Sequence, residues 1–122
     1  MTVMPNGNDI LDRLLAHAVE ITSLCTNLPK NQATTHIARQ LLRSGTAAAP
    51  NYAEARAGES RQDSIHKLGI VLKELNETLV WLEMLRRMEA ERPALLEPLI
   101  TECDQLCRII AASIKTASTE KK

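Results

Sequence analysis

Four sets of side chains in this sequence have the chemistry to bind or react. Cys103 and Cys107 stand four apart, a spacing that sets two thiols on one helix face where they could share a thiophilic metal. His17, His36 and His66 fall on three different stretches, with no H-E-x-x-H or comparable pairing to build a ligand set. The carboxylates Glu54, Asp63, Glu74 and Glu77 could line a di-metal centre. Ferritin-like centres, however, need Glu-x-x-His pairs on two helices, and neither Glu74 nor Glu77 has a His at that spacing. The last set is cationic. His36, Arg39 and Arg43 recur at i, i+3 and i+7, a stripe along one helix face, and Arg56, Arg61 and Lys67 gather near the turn that follows. Such a stripe could neutralise phosphates, and repeated copies in an oligomer would multiply it.

Each set also has a plainer reading. The cysteines serve as small buried hydrophobes, Cys103 lying in an apolar seam. The carboxylates form ordinary i,i+4 pairs, Lys73 with Glu77 and Asp63 with Lys67. The cationic stripe is a solvated helix face or a source of inter-subunit ion pairs. Base-stacking side chains are scarce, with one Trp, one Tyr and no Phe. The sequence has neither a Gly-rich phosphate loop nor a nucleophile motif, and it implies no catalytic residue, metal or cofactor.

Composition narrows what can position these residues. The 122 residues suffice for one domain with a single core, which without Phe must be aliphatic. Basic and acidic side chains balance at 15 each, so no global field attracts nucleic acid. A local excess does exist: between positions 30 and 56, Lys30, Arg39, Arg43 and Arg56 face only Glu54. Three cysteines without framework spacing suit a reducing interior, and the start M-T-V-M-P-N-G-N-D lacks a secretory pattern. No apolar run approaches the roughly 20 residues of a membrane span. These features imply a cytoplasmic protein.

Helical periodicity covers nearly the whole chain. Asn8 should cap a first helix carrying Asp9 and Asp12 in its first turn, with Leu11, Leu14, Ala18, Ile21, Cys25 and Leu28 as its seam and Pro29 as its end. A second helix should start between Asn31 and Thr35 and continue through Ile37, Leu41, Ser44 or Gly45, Ala48 and Tyr52. Its run S-G-T-A-A-A invites close approach by a neighbour, and Pro50 should kink or split it before Gly58 makes the turn. Ser60 and Asp63 form a capping-box arrangement for the third helix. Its broad leucine face builds the bundle, while Ile70, Trp81, Met84 and Met88 project from the other side, as expected of an oligomer contact. Pro93 opens a fourth helix with the seam Leu96, Leu99, Cys103, Leu106, Ile110, Ser113 and Ala117. The expected architecture is all-α, a single antiparallel up-down-up-down four-helix bundle with helices at about 9–28, 33–57, 60–90 and 94–117.

The segments R-Q-L-L-R-S-G-T (39–46), N-Y-A-E-A (51–55), E-S-R-Q-D (59–63) and H-K-L-G-I-V-L-K-E-L-N-E-T (66–78) resemble the four-helix-bundle family also called the 23S rRNA intervening-sequence protein family. Asn51, Tyr52, Glu54, Ser60, Asp63, His66, Lys67, Lys73, Glu74 and Glu77 are the positions that carry the likeness. The resemblance implies a bacterial homopentamer. Some members are encoded within intervening sequences of large-subunit rRNA genes, and a basic branch accompanies the reverse transcriptase of diversity-generating retroelements, where it contacts nucleic acid. The zero net charge departs from that branch, as Pro50, Ser64 and Asn76 depart from common family residues. The reading that follows is a non-enzymatic homo-oligomeric scaffold that binds another macromolecule through its surface. A nucleic-acid-binding accessory protein is the alternative, and a metal-dependent enzyme the remote one.

Overall fold

The computed structural model describes residues 6–119. It contains α1 (Gly7–Asn27), α2 (Gln32–Arg56), α3 (Arg61–Arg87) and α4 (Pro93–Thr119). Successive helices pack side by side, α1 also meets α4, and among the described residues the backbones of the two diagonal pairs stay further apart. The cross-helix pairs run in opposite directions along every neighbouring pair. Arg13 reaches Glu102 and His17 reaches Leu99; Ser44 meets Thr78 and Glu54 meets Lys67; Cys103 meets the Leu75 carbonyl and Arg86 meets Glu97. The chain is therefore the expected up-down-up-down bundle.

Local chemistry sets each helix boundary. Asn6 caps α1 by accepting from the Asp9 amide at 3.0 Å. The expected cap, Asn8, is instead inside the helix and accepts from Arg56 at 2.8 Å. Asn6 wins because it stands three residues before Asp9, the distance an N-cap side chain spans. Asn31 caps α2 by accepting from the Thr34 amide at 3.0 Å, and its own amide donates back to the Thr34 hydroxyl. Ser60 caps α3, accepting from the Asp63 amide at 3.0 Å. Asp63 is one methylene shorter than the usual glutamate and gives no return bond among the described contacts.

Of the kink or split expected of α2 at Pro50, the split does not occur: the helix runs unbroken from Gln32 to Arg56. Pro50 lies on the exposed side while Ala48, Ala49 and Tyr52 around it are buried, so packing holds both halves in one helix and the lost amide bond falls on the solvent side. At the other end of the hairpin, α3 closes with a two-bond C-terminal turn. The Ala90 amide donates to the Leu85 carbonyl at 3.0 Å and the Glu89 amide to the Arg86 carbonyl at 3.1 Å. This turn needs a left-handed residue, and here that residue is Glu89, with φ 54.

The core is aliphatic as composition requires, with Ile21, Leu41, Val71, Leu75, Leu82, Leu85, Leu96, Leu106 and Ile110 fully buried. Small residues of α2 admit its neighbours. A Cβ on Gly45 would lie 2.8 Å from Cγ2 of Ile21, so α1 approaches α2 through the missing side chain. On the other flank Ser44 and Thr78 are both fully buried. Thr78 Oγ1 lies 2.9 Å from Ser44 Oγ and 2.8 Å from the Glu74 carbonyl, so the pair links α2 to α3 without stranding a polar atom.

Candidate functional site

The α2–α3 hairpin gathers most of the residues singled out in the sequence. Tyr52 is buried in the core, and Asn51 donates to the Ala47 carbonyl at 2.8 Å. Lys67 reaches Glu54 at 2.7 Å, Ser64 donates to the Ala55 carbonyl at 2.8 Å, and Ser60 caps the helix. His66 and Lys73 are exposed. Several of the residues that carry the family likeness thus build the hairpin's turn and its seam, while His66 and Lys73 lie on its surface.

Part of the cationic set is engaged inside the subunit. Arg43 bonds Glu77 and lies 3.3 Å from Glu74, so its charge is met inside the subunit. The Glu77 carboxyl is held below its ordinary range, first by Arg43 and then by the Trp81 indole N–H, which donates to it at 3.0 Å. Arg56 donates to Asn8, and Lys67 pairs with Glu54. Glu77 and Lys67 are therefore bonded across helices, not to Lys73 and Asp63 along their own helix; the closely packed α2 offers shorter partners than the i,i+4 neighbours do. Arg61 also has an interaction of its own. Arg39 and His36 remain exposed, and Arg39 makes no ion pair among the described residues.

The outer face of α3 is resolved into two parts. Near its C-terminal end, Val80, Met84 and Met88 are 53%, 41% and 43% exposed. Trp81 beside them is half-buried, with its ring edge-on to His36 at a centroid distance of 6.1 Å. Gln32, Ala33, His36, Ile37, Trp81 and Met84 line a shallow groove there. Ile70 is half-buried nearly three turns earlier, and Glu74, Glu77 and Arg43 lie between it and the methionines. Val80 was overlooked in the sequence although a helical projection sets it near Met84.

Among the described residues, no three His, Cys, Asp or Glu side chains are placed to hold a metal ion. Cys103 and Cys107 are buried, and Cys103 donates to the Leu75 carbonyl at 3.3 Å. The hydrogen bond with Cys107 and burial push the Cys103 thiol far above the ordinary range. Cys25 is half-buried, and desolvation pushes it up to about 11. Only Cys107 is shifted downward, by its hydrogen bond with Cys103, and it is buried, so none of the three combines a depressed pKa with the exposure that activates a nucleophile.

The α1–α4 side was not legible beforehand. Arg13 makes a two-pronged pair with Glu102 at 2.6 and 2.9 Å and donates to Gln105 at 3.0 Å. His17, only 3% exposed, lies 3.0 Å from the Leu99 carbonyl through Nε2. Burial lowers its pKa, opposed by that hydrogen bond and by Glu102 and Glu20. Beyond His17 the two helices leave a groove of about 390 Å³. None of the four helices is long and apolar enough to cross a membrane.

No curated protein matches the sequence. The fold is similar to the crystal structure of a protein of unknown function from the S23 ribosomal protein family of Bacteroides thetaiotaomicron. The TM-score is 0.82, with 37% identity over 89% of this chain and 97% of that one. The profile of the 23S rRNA-intervening sequence protein family matches residues 7–112. That span includes all of α2 and α3, and the chain belongs to the 23S rRNA-intervening sequence protein family.

Proposed function

We propose that this protein is a non-catalytic, self-associating helical scaffold whose subunits meet at the C-terminal half of α3. The observation that carries this reading is the exposed row Val80, Met84 and Met88 beside the half-buried Trp81. Methionine suits such a contact because its flexible thioether adapts to an irregular partner surface. Covering the exposed parts of Val80, Met84 and Met88 is worth roughly 1 kcal/mol each. That falls short of the roughly 4–15 kcal/mol cost of association, so the adjoining groove at Gln32, Ala33 and His36 must be filled as well. The homopentamer implied by the family resemblance supplies such a repeated contact, and the assembled surface would then present the scaffold to another macromolecule.

Trp81 is the sole tryptophan and stands at the edge of this face. Its emission is therefore expected to shift to the red when the protein is diluted below its association range. Met84→Asp should give the red-shifted spectrum at all concentrations. Emission that is independent of concentration in both proteins would reject the contact.

A second reading, contact with nucleic acid, draws on Arg39, exposed and without an ion pair among the described residues, next to His36. It predicts salt-dependent binding of structured RNA that Arg39→Ala weakens, and absence of binding at low salt would end it. The internal pairing of Arg43 and Lys67 favours the first reading.

A further inference from the structure

The groove between α1 and α4 has no part in the scaffold surface just described, since none of its lining comes from α3. Leu24 and Leu99, 6% and 5% exposed, form its floor, and Leu95, 43% exposed, forms one wall. Its volume of about 390 Å³ lies in the range of small-molecule sites, and most of its surface is aliphatic. The polar groups that line it are the Glu20 and Glu91 carboxylates, the Ser23 hydroxyl and the Asn27 amide; no cationic side chain lines it.

The two carboxylates differ in what they have left to offer. Glu91 accepts from the Arg92 amide at 2.8 Å and has the Arg92 guanidinium at 3.8 Å, so its charge is already answered. Glu20 is exposed and makes no ion pair among the described residues. Arg13, two turns earlier on α1, is committed to Glu102 and Gln105. The groove therefore presents one open anionic group beside an aliphatic floor.

We infer that the α1–α4 groove binds a small organic monocation, an ammonium group on an apolar body, with the ammonium at Glu20 and the body on Leu24, Leu95 and Leu99. An anion of the same shape would meet Glu20 with nothing to offset it. A dication would gain little more, because Glu91 is already partnered. Ser23 and Asn27 offer oxygen acceptors to the remaining N–H groups.

The test is a two-dimensional ¹H–¹⁵N NMR titration of the full chain with 2-naphthylmethylammonium, with 2-naphthoate as the charge-reversed probe at equal ionic strength. The expected result is saturable low-millimolar binding of the ammonium, with shifts confined to residues 20–27 and 91–99 and none from naphthoate. Glu20→Gln should raise the dissociation constant about threefold, as loss of an exposed ion pair does. Leu95→Ala should raise it too; both positions are exposed, so neither change threatens the fold. Equal binding of naphthoate, shifts elsewhere, or no saturation would overturn the inference. So would groove amides that shift on dilution of the protein alone, since a second copy would then be the occupant.

Discussion

Replacing Glu89 by glycine should stabilise the fold by about 1 kcal/mol, because a side chain now stands where the backbone wants none. Glu89 has φ 54 and is held there by the two bonds that close α3, from its own amide to Arg86 and from the Ala90 amide to Leu85. Left-handed backbone costs a residue with a Cβ roughly 1–2 kcal/mol, and glycine returns about 0.5–1 of that through the greater freedom of its unfolded chain. A smaller gain comes from removing a negative charge at a helix C-terminus, a few tenths of a kcal/mol. Glu89→Ala isolates that gain, since it removes the charge and keeps the Cβ. Thermal unfolding followed by circular dichroism, at one protein concentration, should rank glycine above alanine above the parent, with glycine about 2–4 °C above it. A glycine variant no more stable than the alanine variant would refute the argument that backbone conformation is the cause.

Two further substitutions test the packing and the buried histidine. Gly45→Val should cost about 2 kcal/mol or more in urea denaturation, because its Cβ would lie 2.8 Å from the fully buried Ile21; a neutral result would show that α1 does not approach α2 through this gap. For His17, burial lowers the folded-state pKa beneath the unfolded value of 6.5. The unfolded chain then binds the proton first, so stability is full above that value and declines as pH falls from it toward the folded pKa. His17→Gln keeps a donor for the Leu99 carbonyl and should flatten the difference in urea midpoint between about pH 7.5 and 5.5; an unchanged slope would remove His17 as its source.

The four helices were legible because each buries one stripe, and a stripe repeats along its own chain: Leu14, Ile21 and Leu24 in α1, or Leu96, Cys103 and Ile110 in α4, are visible without a partner. The family likeness was legible for a related reason, since its motifs are consecutive residues of one hairpin. Relations between helices were not. Periodicity places Arg43, Glu77 and Lys67 on faces, but their pairing depends on the register of α2 against α3, and the helical neighbours Lys73 for Glu77 and Asp63 for Lys67 were the partners to expect. The α1–α4 groove and the bond from His17 to Leu99 lie further out of reach, joining residues some 80 positions apart. Pro50 shows propensity yielding to burial: Ala48, Ala49 and Tyr52 keep α2 whole where the residue alone argues for a break. Of the residues expected at an oligomer contact, Met84 and Met88 are exposed, whereas Trp81 is shared with α2.

That sharing also decides how the scaffold is best tested. Trp81→Asp would break the Glu77 hydrogen bond and the His36 contact inside the subunit, so loss of assembly would be ambiguous. Met84 is 41% exposed and its side chain makes no hydrogen bond or ring contact among the described residues, so an aspartate there disturbs the subunit less than one at position 81. Light scattering coupled to size-exclusion chromatography of the parent and Met84→Asp is the direct measurement. The parent should elute at a multiple of the 13.5 kDa protomer mass, and Met84→Asp should fall toward that mass with its helical circular dichroism intact. A parent protein already at 13.5 kDa, or a Met84→Asp variant with the parent's mass, would contradict the scaffold reading.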